Sequence, residues 1–167
     1  GVLYPRWAPD FYYGYGYPIF NYYAPFTYAL ASLFAIQFGI VTGVKGVILL
    51  AFFLAAIGMY YFARRHFGSI GGVIGSAAFL LSPYILFIDP LMRGDLAEFF
   101  ALSLIPWLFL VFDEPAIKIA SANTHSRPSS AGETIFNRRL ALRSMVLGAL
   151  ILSHNLTALC SIGILTA

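Results

Sequence analysis

Two stretches without a charged residue, Gly46 to Ala63 and Ile70 to Ile88, constrain this chain more than any other feature. A helix rising about 1.5 Å per residue needs about 20 apolar residues to cross a hydrocarbon core about 30 Å thick, so each run has close to the length of a transmembrane helix. Arg64, Arg65 and His66 close the first run, as a basic cluster does at the end of a span. Pro83 is expected to kink the second. Only 10% of the residues are charged and 60% are hydrophobic, with a mean hydropathy of +0.80, whereas a soluble domain carries about a quarter charged residues. The solvent for such a chain is mostly lipid.

The rest of the chain repeats the pattern. A charged connection from Asp89 to Glu98 leads into a third apolar run, 96–112, which contains Pro106, and a fourth occupies 144–167. Between them, 113–143 is polar, holds Lys118, Arg127, Arg138, Arg139 and Arg143, and has the Ser/Pro/Gly/Thr-rich middle of a flexible loop. The fold class that follows is all-α: a polytopic integral membrane protein with about four transmembrane helices (46–63, 70–88, 96–112, 144–167). The sequence opens at Gly1 without an initiator Met and stops inside an apolar run, so it reads as part of one transmembrane domain truncated at both ends.

The first 28 residues differ in kind. They contain 12 aromatics and two charges, Arg6 and Asp10, with Pro5, Pro9, Gly14, Gly16, Pro18 and Pro25 preventing a continuous helix until about Ala24. Tyr and Trp favour the headgroup level, where one end of the ring is dry and the other wet. The uncharged stretch from Tyr22 to Val41 is long enough to cross, yet its Tyr- and Pro-rich first half suits a helix lying in the interface, and that juxtamembrane reading of 22–42 is preferred.

Several classes are excluded. Although the net charge is +3 and the pI about 9.1, the basic residues form no stripe of the sort that tracks a phosphate backbone, so no nucleic-acid partner is expected. Cys160 is the single cysteine, which leaves neither a disulfide framework nor a cysteine zinc site. Gly68, Gly71, Gly72 and Gly75 lie in or beside an apolar run and read as helix packing, not as a phosphate-binding loop.

Orientation follows from the Lys/Arg bias. Seven of the ten basic residues fall at 64–65 or in 113–143, which places 64–69 and 113–143 in the cytoplasm and 89–95 outside. If 22–42 lies in the interface, residues 1–21 are extracytoplasmic too, and Asp10 is on the same side as Asp95.

Polar residues at this depth are costly unless used. Asp10 is the lone acidic residue of the first 88 positions, a metal ligand or general base on one reading and a partner of Arg6 or a helix cap on the other. Asp95 and Glu98, at i and i+3, share a helix face beside Arg93, and the same spacing makes a capping-box-like helix start. Asp89, before Pro90, is expected to end the preceding helix. His154 and Asn155 lie about ten residues into the last run, where an interhelical hydrogen bond and a substrate-pathway contact are both open.

The segments Tyr4-Pro5-Arg6-Trp7-Ala8-Pro9-Asp10, Gly14-Tyr15-Gly16-Tyr17-Pro18 and Arg93-Gly94-Asp95-Leu96-Ala97-Glu98, in this layout, resemble the GT-C superfamily of membrane glycosyltransferases. Within it they look most like a group of bacterial multi-span proteins, some labelled as related to 6-pyruvoyl-tetrahydropterin synthase, although nothing in the chain resembles that soluble pterin enzyme. The resemblance implies a polyprenyl-phosphate-linked sugar donor entering from the bilayer and transfer to an acceptor on the extracytoplasmic face. By position it assigns catalysis to Asp10, Asp95 and Glu98, phosphate binding to Arg6 and Arg93, and a divalent cation, Mg or Mn, to Asp10 and Asp95. Asp10 is followed by Phe11 and Tyr12 and not by a second acidic residue, a departure that weakens the metal assignment. The alternative is a multi-span protein without enzymatic activity, such as a transporter, a polymer-export component or an inactive GT-C-like scaffold.

Overall fold

The computed structural model of the protein describes residues 7–19, 23–113 and 130–166. Its helices are α1 Phe26–Phe38, α2 Ile40–Leu80, α3 Tyr84–Arg93, α4 Leu96–Phe112, α5 Ser130–Ser153 and α6 Asn155–Thr166. No β-strand occurs among the described residues; Ala8 and Tyr17 form an isolated antiparallel bridge that closes the aromatic loop. The described chain is all-helical, as its composition requires.

Gly39 alone separates α1 from α2, and its φ of 83° is one that glycine adopts readily. The chain reverses there and α1 lies back along α2. At Gly43 the two helices nearly touch: a Cβ would stand 2.8 Å from the amide nitrogen of Ala35 and 2.9 Å from the carbonyl oxygen of Ala31. The 13 residues of α1 make a rod about 20 Å long, less than the thickness of a hydrocarbon core.

A second reversal splits α2. Gly68, at φ 75° and ψ −175°, is non-helical, just beyond the basic cluster. Across it the two arms pack together: Ser76 Oγ donates to the Ala56 carbonyl at 2.9 Å, and Gly72 and Gly75 lie against Tyr60 and Ala63. The apolar runs 46–63 and 70–88 are therefore the arms of one hairpin; Gly72 and Gly75 pack the arms closely, as the sequence suggested, whereas Gly68, read from sequence as packing too, makes the turn.

The second arm pauses at Leu81 and Ser82, ahead of Pro83, which disfavours helical backbone in the residue before it. It then continues as α3, wound in the wider π form. Here one expectation is corrected: Asp89 does not end the helix, which runs on past Pro90 to Arg93. A wider turn draws the carbonyl four residues back away from the Pro90 ring, relieving the clash that breaks an ordinary α-helix. The final bond, Gly94 amide to Asp89 carbonyl at 3.0 Å, has the five-residue spacing of that form.

Helix α4 starts as the capping pattern predicts. Asp95 is the N-cap, and its Oδ1 accepts the Glu98 amide at 3.0 Å. α4 then runs beside the first arm of α2. Phe99 meets Phe52 edge-on at 5.0 Å between ring centroids, and Trp107 Nε1 donates to the Leu54 carbonyl at 2.8 Å. At the far end Asp113 Oδ2 pairs with Arg65 Nε at 3.3 Å and with His66 Nε2 at 3.1 Å. Arg143 of α5 joins that end, donating to the Val111 carbonyl at 3.3 Å.

Helix α5 is a second correction, because it begins at Ser130, well before the apolar run at 144. Ala, Glu, Leu and Arg in 131–143 are strong helix formers, and forming a helix does not require apolarity. A third concerns the last run, which is divided at His154 between α5 and α6.

Val47, Ala51, Phe99, Leu108 and Leu150 are fully enclosed where α2 and α5 each pack against α4. Outward, Leu33, Ile36, Phe53, Phe67 and Ile70 are each more than 60% exposed, an apolar perimeter suited to lipid. The helical run Ile40–Arg93, 54 residues through its breaks, is long and apolar enough to cross a membrane, and only 22% of its most apolar stretch is buried inside the protein. Phe26–Phe38, Leu96–Phe112 and Leu140–Ser153 are apolar but shorter. One run thus meets the length criterion among the described residues, where the sequence led to an expectation of about four crossings.

Candidate functional site

The polar centre of the protein forms where α3 hands over to α4. The π turn and the left-handed Gly94 (φ 66°) that ends it put Arg93 and Asp95 on either side of a sharp bend. Arg93 then serves three partners. Its Nη2 pairs with Glu98 Oε2 at 2.8 Å, its Nη1 lies 3.4 Å from Asp89 Oδ1, and Nη1 also donates to the Tyr84 hydroxyl. Tyr84 in turn donates to Glu98 Oε1 at 2.7 Å. Glu98 is thereby held by both oxygens, while Asp95 spends Oδ1 on the helix cap and keeps Oδ2.

Asp89 is the outlier. Its side chain is 0% exposed and neither carboxylate oxygen accepts a hydrogen bond. A buried carboxylate in that state is costly, and a single guanidinium at 3.4 Å offsets the cost only in part.

His154 reaches the same place from the other side of the bundle. Donor atoms of Asp95, Glu98 and His154 all lie within 4.8 Å of one another. The imidazole is oriented by its own helix: Nδ1 is 2.8 Å from Thr157 Oγ1 and 3.3 Å from the Thr157 amide, which caps α6. The sequence placed His154 at mid-depth, with a hydrogen bond or a pathway contact as its uses; packing puts it beside two carboxylates.

Next to this cluster is a cavity of about 410 Å³, lined by Arg93, Gly94 and Asp95 on one side and by Phe11, Tyr17, Ile19, Tyr23 and Tyr28 on the other. The aromatic loop reaches it because α1 folds back on α2, bringing Phe26 to 5.9 Å from Phe100 in the first turns of α4. The loop itself is pinned by the Ala8–Tyr17 bridge and by Gly16 (φ 79°), whose missing side chain leaves room for the Trp7 indole.

Of the residues singled out from sequence, the structure joins Arg93, Asp95, Glu98 and His154. Asp10 stands exposed on the aromatic loop, beside the cavity-lining Phe11, and does not itself line the cavity. Arg6 and the side chain of Asn155 lie outside the described residues. Sequence reasoning missed Tyr84 and the burial of Asp89. For Asp89 a signal existed, since Asp89 and Arg93 are four apart on a helix, the spacing of a salt bridge; for Tyr84 there was none.

No curated protein and no solved structure shows significant similarity to this chain. One family does match, over residues 20–126, a span that includes α1 to α4 and every residue of the cluster except His154. The chain belongs to that family, described as the 6-pyruvoyl-tetrahydropterin synthase related domain, of membrane proteins.

Proposed function

We propose that this protein is a GT-C-like glycosyltransferase, moving a sugar from a polyprenyl-phosphate donor to an acceptor at the extracytoplasmic membrane surface. The observation that carries the reading is the cavity: an aromatic wall opposite a carboxylate and a guanidinium, at the end of an apolar bundle. Aromatic faces stack on sugar rings, Arg93 offsets the charge of a departing lipid phosphate, and Asp95 Oδ2 is free to take the proton of an acceptor hydroxyl. Glu98 and Tyr84 hold Arg93 in place. Asp10, on the loop above, is the second carboxylate and Arg6 the second phosphate ligand in this reading.

The membrane arrangement belongs to the same proposal. Spans at 46–63, 70–88, 96–112 and 144–167 put 64–69 and 113–143 in the cytoplasm, and α1 lies in the interface with 1–21 and 89–95 outside. Two findings support it. Asp113 pairs with Arg65 and His66, so the basic ends gather at one end of the bundle. The cavity is at the opposite end of α4, whose 17 residues measure about 25 Å, close to the depth of a hydrocarbon core.

A second reading, an inactive or purely structural scaffold, is favoured by one observation: Asp95 already caps a helix and Glu98 is already held on both oxygens by Arg93 and Tyr84. Transfer from a radiolabelled polyprenyl-phosphate sugar by the full-length protein in native membranes separates the two. Asp95→Asn keeps the cap, since Asn caps as well as Asp, and is expected to lower transfer by about 100-fold through loss of the base. Transfer by Asp95→Asn equal to that of wild type would favour the scaffold.

A further inference from the structure

The geometry points to a binding site for one divalent transition-metal ion, of the Mn2+ or Zn2+ type, formed by Asp95, Glu98 and His154. The ligand atoms come from two separate parts of the chain, the start of α4 and the break between α5 and α6, and lie within 4.8 Å of one another. Ligands about 2.1 Å from a tetrahedral ion stand about 3.4 Å apart, so side-chain rotations of roughly an ångström close the shell. Lone pairs are available for it. Asp95 has Oδ2 unused, and a carboxylate with a hydrogen bond on each oxygen, as in Glu98, still has acceptor capacity.

The second ring nitrogen of His154 is already provided for. Thr157 lies against Nδ1, with Oγ1 at 2.8 Å and the amide donating to it from 3.3 Å; binding an ion through Nε2 moves the ring proton to Nδ1, where Thr157 Oγ1 accepts it in place of that amide contact. An imidazole in the set selects against Mg2+, which prefers oxygen and water.

Independently of the triad, the charge balance calls for a cation. Asp89, Asp95 and Glu98 bring three negative charges to a half-buried region, and among the described ion pairs of this cluster Arg93 is the one positive partner. Asp89, fully buried with neither oxygen hydrogen-bonded, faces that same guanidinium. A 2+ ion at the triad brings the cluster to neutrality and lowers the cost of the Asp89 charge. Asp95 also lines the cavity, so an ion held by it would border the space a ligand would enter.

Binding is independent of sugar transfer and is measured without it. Mn2+ is titrated into the full-length, detergent-purified protein and followed by electron paramagnetic resonance, with Zn2+ as competitor. Saturable binding of one Mn2+, displaced by Zn2+ and showing coupling to one imidazole nitrogen, is expected in the wild type. His154→Ala and Asp95→Asn are expected to weaken it by at least about tenfold and Thr157→Val by less, with Asp10→Asn close to wild type. The nitrogen coupling needs no variant, so a His154→Ala protein that fails to fold does not block the test. Absence of saturable binding, absence of the nitrogen coupling, or loss of binding in Asp10→Asn with His154→Ala unchanged would each overturn the assignment. Transfer activity without Mn2+ or Zn2+ binding would sink this site and leave the glycosyltransferase reading standing.

Discussion

Arg93→Ala is expected to lower sugar transfer to between about 0.1% and 1% of the wild-type rate, at least as large a loss as that expected for Asp95→Asn. One guanidinium contacts Asp89, Glu98 and Tyr84 at once, and it also borders the cavity. Its removal takes away the positive charge opposite a departing phosphate, and electrostatic contacts of that kind are typically worth about 10² to 10³ in rate. It also leaves two carboxylates without their cation, so Glu98 is free to rotate away from Asp95. Arg93→Lys is expected to recover little. A single ammonium cannot reproduce the planar fork that reaches Glu98 with one nitrogen and Asp89 and Tyr84 with the other. Initial rates with the polyprenyl-phosphate donor check this, with elution as a single species in size-exclusion chromatography showing that the variants are folded. A lysine variant as active as wild type would mean that only charge, and not the bridge, is used.

The largest effect on stability is expected from Gly43→Leu. Any Cβ there meets backbone, not a side chain that could turn aside: the Ala35 amide nitrogen at 2.8 Å, the Ala31 carbonyl oxygen at 2.9 Å and the Ala35 Cα at 2.9 Å. Small residues allow such approach between apolar helices. Overpacking costs about 1 to 3 kcal/mol where side chains can adjust, and here they cannot, so a loss of about 3 kcal/mol or more is expected, with Gly43→Ala smaller in the same direction. Denaturation in mixed micelles at increasing SDS fraction measures it. The displacement of α1 also carries the aromatic wall off Arg93 and Asp95, so transfer falls together with stability. An unchanged midpoint would mean that α1 does not pack on α2 through Gly43.

These two residues show what the sequence conveyed and what it withheld. Uncharged runs identified the apolar helices, because the absence of charge over some 18 residues is a one-dimensional property. The cap at Asp95 and the pairing of Arg93 with Glu98 were legible for a related reason: both are local, set by spacing along one stretch of chain. The reversals at Gly39 and Gly68 were harder. A glycine in an apolar run reads equally as close packing or as a break, and only packing decides; Gly72 and Gly75 pack, while Gly68 turns. Asp89 was misplaced because Pro90 after it signals a helix end in α geometry, and the π form that tolerates proline has no clear mark in sequence. His154 beside Asp95 and Glu98 was beyond sequence reading altogether. Their meeting depends on α5 lying back along α4, a fact of three dimensions that leaves no trace in the spacing of 56 residues between Glu98 and His154.

The account rests on the aromatic loop and the Arg93–Asp95 bend sharing one extracytoplasmic site. Single cysteines test this most directly, placed in full-length protein lacking Cys160 at Tyr13, 98% exposed on the loop, and at Met92, 69% exposed beside the cluster. Labelling of intact cells with a membrane-impermeant maleimide is predicted to modify both positions before permeabilisation. Modification of Met92→Cys from outside with Tyr13→Cys reached only after permeabilisation would place the loop across the membrane from the cluster and contradict the account.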